Sequence, residues 1–329
     1  EEDILYLAWL ARKKTKVKKL CLAGGVALNC IINQKLIESG TFDEIYIQPA
    51  ASDEGLPLGC ALSGYYANGG QERKHMSDAY LGVPNDPATL PGVLDNWKLK
   101  GQNASPEEIA KLLADGKIIG RVAGGSEYGP RALGNRSILA DPRPADMKNR
   151  LNAEIKHREG FRPFAPSCLE DNIPDFFQSP AKSPFMVIAG TVRDGERDKV
   201  PVVTHADGSC RVQTVNPDQN KKYYELIEAF GKLTDCPVLT NTSFNDRDEP
   251  IVETYDDAAS CLLRTGLDAL CIEGQLVERT AVTPSLTSEQ NLKTTTARVD
   301  TEYTDLIERF CNVETYVNLA SELKDKEDK

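Results

Sequence analysis

The chain has 329 residues, 40% of them hydrophobic and 27% charged, which is ordinary globular composition and enough length for about two domains. Acidic residues outnumber basic ones 50 to 39, a net charge of −11, and this excludes the broad basic footprint that nucleic acid requires. The longest apolar stretches, such as Phe185–Gly190, are far too short to span a bilayer, so neither a nucleic acid nor a membrane is expected as a partner.

The chain opens on Glu1-Glu2-Asp3 without an initiator Met, which reads as a fragment or a processed product. Residues 4–15 have helical periodicity, with Ile4, Leu5, Ala8 and Trp9 on one face. A short buried strand follows at 19–23, then a Gly24-Gly25 break and a helix over 26–38. A second strand at 44–48, a loop at 49–54 and a small-residue helix through Tyr66 repeat the unit, which favours a parallel α/β sheet. Two such units are too few for an independent domain, so residues 1–72 read as the end of something larger. Residues 73–105 read as a connector with one short strand near Tyr80. Ser105-Pro106-Glu107-Glu108 then predicts a helix start with a capping box and Pro at the first helical position. Strands are expected at 117–123, 185–192, 210–215, 237–243 and 268–272, and helices at 144–157, 221–232 and 255–265. This second domain covers 106–282, with its last ordered residues near Arg279. A polar tail, 283–329, contains one amphipathic stretch with Leu306, Phe310, Val313 and Val317 at helical spacing.

Charge is uneven along this order. From Lys117 to Arg162 ten Lys/Arg stand against five Asp/Glu, which suggests a small anion held in a pocket. The nine cysteines form no CxxC pair and mostly sit in apolar runs, as in a reduced, cytoplasmic protein. His75, His157 and His205 do not cluster, so a self-contained zinc site is not expected.

Several motifs could carry chemistry. In Leu22-Ala-Gly-Gly-Val-Ala-Leu-Asn29, Gly24 and Gly25 at a strand end would let backbone approach a phosphate. Asn29, one turn inside the helix, could reach a ribose or base; a tight βα turn explains the glycines equally well. Asp53, between a strand and a helix, is placed to cap that helix or to ligate a metal. In Ser126-Glu-Tyr-Gly-Pro-Arg-Ala-Leu-Gly-Asn-Arg-Ser-Ile138, glycines could aim the forks of Arg131 and Arg136 at one anion, or Glu127 and Asp141 could pair with them as loop packing. Lys156, Arg158 and Arg162 border the Pro-rich Phe161–Pro166 run, and cations beside packed chain favour a lined pocket. His205-Ala-Asp-Gly-Ser reads as a hairpin turn that delivers Arg211 to the following strand, either edge-exposed or facing the same pocket. Ser243 and Asn245, two apart at a strand end, share a side and suit phosphate or adenine contacts, or else hold a turn.

Together, and in this order, GPRALGNRSI, FRPFAPS, RVQTV and NTSFN resemble the O-carbamoyltransferases of the nodulation and antibiotic-biosynthesis type, over roughly residues 18–279. The resemblance implies an α/β fold in which a partial actin-like (ASKHA) βα segment precedes a YrdC-like α/β domain with a twisted mixed sheet. It implies that carbamoyl phosphate and ATP give carbamoyl adenylate in the second domain, and that an acceptor hydroxyl of a small molecule takes the carbamoyl group in the first. The family's carbamoyl-phosphate and adenylate contacts map onto Arg131, Lys156, Arg162, Arg211 and Ser243. Gly24, Gly25, Asn29, Arg136, Arg158 and Asn245 join them as nucleotide- and substrate-binding groups. Asp53 matches a metal-binding aspartate, for iron or magnesium, whose histidine partners belong to a front half that this sequence does not contain. A homodimer is compatible with the resemblance. Gly125 stands where the family tends to have Arg, so one cation near the pocket mouth is missing. A non-catalytic nucleotide- or anion-binding module and an enzyme of the threonylcarbamoyl-adenylate type in tRNA modification are the alternatives.

Overall fold

The computed structural model describes residues 1–73 and 76–279; the amphipathic stretch expected after residue 283 lies outside them. The chain begins with α1 (Glu2–Thr15), β1 (Lys19–Leu22), α2 (Cys30–Glu38), β2 (Glu44–Ile47) and α3 (Leu56–Ala67). Strands β1 and β2 pair in parallel as a sheet of their own. The helix expected over 26–38 starts later. Gly25–Leu28 forms a single tight turn, and Asn29 caps α2, its Oδ1 accepting from the Ile31 and Ile32 amides at 3.1 and 3.3 Å.

The stretch read as a connector holds α4 (Leu90–Asn96) and β3 (Gln102–Asn103), and no strand forms at Tyr80. Tyr80 instead donates its hydroxyl to the Leu133 carbonyl at 2.9 Å. The capping box before α5 (Pro106–Ala114) is present, with Ser105 Oγ accepting from Glu108 N–H at 3.2 Å and Glu108 reaching back to Ser105 N–H at 2.7 Å. Then follow β4 (Ile119–Val122), β5 (Arg136–Ala140), α6 (Met147–Arg150), β6 (Ala165–Leu169), α7 (Ile173–Phe176), β7 (Phe177–Gln178), β8 (Gly190–Val192), β9 (Ser209–Cys210) and β10 (Gln213–Val215). The chain continues through α8 (Pro217–Thr234), β11 (Val238–Ser243), α9 (Tyr255–Arg264), β12 (Ala269–Ile272) and β13 (Gln275–Glu278).

The main sheet has eight strands in the order β10-β6-β11-β5-β4-β12-β13-β3. Pairs β10–β6 and β4–β12 are parallel and the others antiparallel, so the fold is α/β with a mixed sheet. Helices α5 and α8 cover one face through Ile109, Leu113, Leu226 and Phe230, packed on Ile119, Leu139 and Leu239. A three-stranded sheet, β7-β8-β9, carries a second core with Phe177, Val192, Cys168 and Cys236.

Five strands escaped the sequence reading, β3, β5, β6, β7 and β13, and two of them are central to the main sheet. β5 opens on Arg136-Ser137, and β6 follows the Pro-rich run with Ala165-Pro166-Ser167. Both are fully buried along their length, because central strands of a mixed sheet are covered by neighbours far away in sequence. The first segment is tied to the larger one by Ala27, Ile47 and Ala51, which pack on Val187 and Ile188. The buried Asn33 amide donates to the Ala27 and Val187 carbonyls, both at 2.7 Å.

Candidate anion-binding site

Helix α6 ends in one widened turn, Leu151–Ile155, which leads to Lys156. His157 follows with φ of 43°, and the chain reverses there. Lys156 is 6% exposed. Its ammonium points at the end of β11 and meets four oxygens: Ser243 O at 2.6 Å, Ser243 Oγ at 3.1 Å, Asn245 O at 2.8 Å and Asn245 Oδ1 at 2.6 Å. All four are neutral. Burial therefore pushes the Lys156 pKa down to about 8, with Asp246 and Glu249 among the groups opposing the shift.

Lys156, Arg158, Arg162, Ser243 and Asn245 line one cavity of about 300 Å3 together with Glu159, Asp246, Arg247 and Asp248. The acidic members are already paired: Glu159 with Arg162 at 3.0 Å, Asp246 with His157 at 2.8 Å and Asp248 with Arg247 at 3.2 Å. Lys156 and Arg158 have no ion pair among the described residues. Arg158 is fixed by its Nε bond to Asn152 Oδ1 at 2.7 Å and lies 4.9 Å from the centre of the Phe164 ring. Burial and then the neighbouring Arg162 lower its pKa. Two partly desolvated cations beside an open space favour an anion of two or more charges there.

Arg131 and Arg211 do not line this cavity; they form a second cationic group. Burial lowers both their pKa values, and Arg131 lowers that of Arg211 further by like-charge repulsion. Neither makes a hydrogen bond or ion pair within the described residues, and the Nε of each is buried without a partner. The loop is brought there by Gly129, at φ of 122°, where a side chain would collide with the Pro49 carbonyl at 2.8 Å. Cys30 and Glu54 of the first segment are among the charge neighbours of Arg131. The two cationic groups are linked by β11. Asn241, two residues before Ser243, donates to the Ala132 carbonyl at 3.2 Å.

Arg136, expected among the nucleotide-binding groups, is placed elsewhere. It is fully buried, and each guanidinium nitrogen donates to main-chain carbonyls: Nη1 to Ala123 and Asn135, Nη2 to Gly124 and Nε to Glu253, all at 3.0–3.2 Å. Glu127 does not pair with the arginines; its Oε1 accepts the amides of Leu133, Asn135 and Arg136 at 2.7, 2.7 and 3.2 Å. Asp141 pairs with Arg143 at 2.6 Å. Gly24 donates its N–H to the Ala51 carbonyl at 2.6 Å, and Gly25 packs beside Ser52, so this turn is braced against the loop that carries Asp53. The Asn29 side chain is spent on its cap rather than standing one turn inside the helix. Asp53 is exposed, and no cluster of three or more His, Cys, Asp or Glu that could hold a metal occurs among the described residues. Iron and magnesium take several donors, so Asp53 would need further ligands besides those the described residues supply. Sequence reasoning missed Arg247 and the Asn152 brace, although Asn152 and Arg158 stand six apart within one motif.

The comparisons with known proteins name the family. Residues 110–279 match the model of the carbamoyltransferase C-terminus, and residues 1–62 that of the carbamoyltransferase N-terminus. The chain belongs to the carbamoyltransferase family. It is 44% identical over 279 residues to nodulation protein NolNO of Sinorhizobium fredii, covering 82% of this chain and 41% of that protein. It is 46% identical over 277 residues to nodulation protein NolO of Bradyrhizobium diazoefficiens, covering 82% and 50%. The chain thus spans about half the length of these relatives. A full-length HypF structure in phosphate- and nucleotide-bound form superposes with a TM-score of 0.33 at 15% identity, over 50% of this chain and 21% of that one. No helix among the described residues is long and apolar enough to cross a membrane.

Proposed function

We propose that the Lys156 cavity and the Arg131–Arg211 pair serve the phosphoryl half of an ATP-dependent O-carbamoyl transfer. The observation that carries this reading is the Lys156 ammonium, held among the Ser243 and Asn245 oxygens with Arg158 beside it and no carboxylate paired to either cation. Water hydrolyses carbamoyl phosphate to carbamate and inorganic phosphate, and the carbamate oxygen attacks the α-phosphorus of ATP. Pyrophosphate leaves, and carbamoyl adenylate forms. Two polyanions must meet in this step, and their repulsion is the main obstacle. The buried Lys156 and the half-buried Arg158 neutralise charge, and Arg162 closes the rim. Arg131 and Arg211, which repel each other, take up a second anionic group. None of these side chains acts as a covalent nucleophile. The hydroxyl of a small-molecule acceptor takes the carbamoyl group in a later step. Residues 1–72 are proposed as the carboxyl-terminal part of an actin-like transfer domain and 106–282 as the adenylate-forming domain.

The test is carbamoyl-phosphate-dependent exchange of labelled pyrophosphate into ATP. Lys156→Ala and Arg131→Ala should each reduce exchange by about 2–4 kcal/mol of transition-state stabilisation. Wild-type exchange in the Lys156→Ala protein would refute the assignment.

A further inference from the structure

A second cavity, of about 210 Å3, lies between the start of α5, the early turns of α8 and the carboxyl ends of the parallel neighbours β4 and β12. It shares no residue with the Lys156 cavity. Its wall is largely apolar, with Ala104, Ile109, Val122 and Leu226. Arg121 enters it from β4, in the middle of an otherwise apolar strand. The Arg121 residue is 4% exposed. Its Nη1 donates to the Gly134 carbonyl and, at 3.2 Å, to Asn135 Oδ1. The guanidinium lies 5.3 Å from the centre of the Tyr223 ring. It has no ion pair among the described residues.

The acidic groups at the cavity rim are already engaged. Glu273 accepts the Gly124 N–H at 2.7 Å through one oxygen and faces Lys222 at 3.7 Å through the other. Glu225 faces Lys221 at 3.8 Å. The Nε–Nη2 edge of Arg121 has no acceptor among the described residues, and neither nitrogen belongs to the sealed, partnerless atoms of the core. That edge is the one that grips a carboxylate with two parallel hydrogen bonds.

We infer that this cavity binds a small apolar carboxylate, with its acid group on Arg121 and its hydrocarbon against Ile109 and Leu226. An apolar cavity of about 150 Å3 admits benzene, so a six-membered ring bearing one carboxylate matches the space. The same guanidinium holds the Gly134–Asn135 turn, three residues beyond Arg131, so occupancy bears on the loop that carries Arg131.

The experiment is calorimetric titration of the full chain with benzoate, with benzyl alcohol as the uncharged counterpart. Benzoate should bind at least about tenfold more tightly than the alcohol, a difference of about 1.4 kcal/mol. Ala104→Leu, which narrows the cavity, and Arg121→Lys, which keeps the charge but loses the two-pronged edge, should each weaken benzoate by about tenfold. Lys156→Ala should leave benzoate binding as it is, because its cavity is separate. Circular dichroism checks folding, and if Arg121→Lys does not fold, Ala104→Leu carries the test alone. The inference is overturned by absence of benzoate binding, by equal binding of the alcohol, or by benzoate affinity that survives Ala104→Leu.

Discussion

The segment before residue 73 and the domain after residue 105 use the same strand–turn–helix vocabulary, yet they bury it differently. α3 is built from Leu, Ala, Gly and Tyr, and not one of its residues is buried; Leu56, Leu62, Tyr65 and Tyr66 are exposed. α8 is more polar in sequence and still buries Tyr223, Leu226, Ile227, Ala229 and Phe230. The difference is the number of layers. α8 lies on an eight-stranded sheet together with α5, whereas the first segment offers a two-stranded sheet with little to cover it. An apolar helix becomes core only where a second surface exists to receive it.

Matched truncations give the widest contrast between the two regions. Phe230→Ala should cost about 3–5 kcal/mol, and Leu62→Ala should stay within about 0.5 kcal/mol; urea unfolding midpoints measure both. Comparable losses at the two sites would mean that α3 is covered after all. The next effect concerns Glu127. Its truncation to Ala strands three loop amides, and about 1–3 kcal/mol of stability should go with them. Exchange activity should fall as well, since the loop places Arg131. A variant as stable as the parent would remove Glu127 from that role.

The pH dependence sharpens the picture on the domain side. The Lys156 pKa, about 8 in the folded protein, lies below its ordinary value of 10.5. Its ammonium is therefore present below pH 8 and lost above it. Affinity of the unliganded cavity for inorganic phosphate should drop about tenfold between pH 7 and pH 9, as the protonated fraction does. The same shift makes this group's contribution to stability rise with pH between about 8 and 10.5, because the unfolded chain then holds the extra proton. A flat binding profile, measured by calorimetry at both pH values, would put the ammonium outside the anion site. The smallest effect returns to the first segment. Asn29→Ala should cost about 1 kcal/mol as a lost cap and leave ATP affinity unchanged. Weaker nucleotide binding at unaltered stability would restore Asn29 to the ligand set.

What could be read early was local. The Ser105–Glu108 capping box depends on residues three apart, and it stands as expected. The Asp207-Gly208 turn also forms, with Ser209 N–H donating to Asp207 Oδ1 at 2.9 Å. The order of motifs likewise led to the carbamoyltransferase family. The site was legible only in part. Arg131 and Arg136 stand five apart and look alike in sequence, but among the described residues one has no hydrogen-bond or ion-pair partner and the other fills the core. Nothing in their spacing separates a strut from a ligand-binding cation.

By itself, then, the sequence determined the family, the α/β class and the capped start of α5, because hydrophobic period, capping and turn chemistry act over a few residues. Only the tertiary structure decided that Lys156 meets Ser243 and Asn245 across 87 and 89 residues of chain, that Arg131 and Arg211 form a group apart, and that Arg121 opens into a cavity of its own. Desolvation and charge pairing depend on which distant strands close over a side chain, and sheet order, not spacing, settles that.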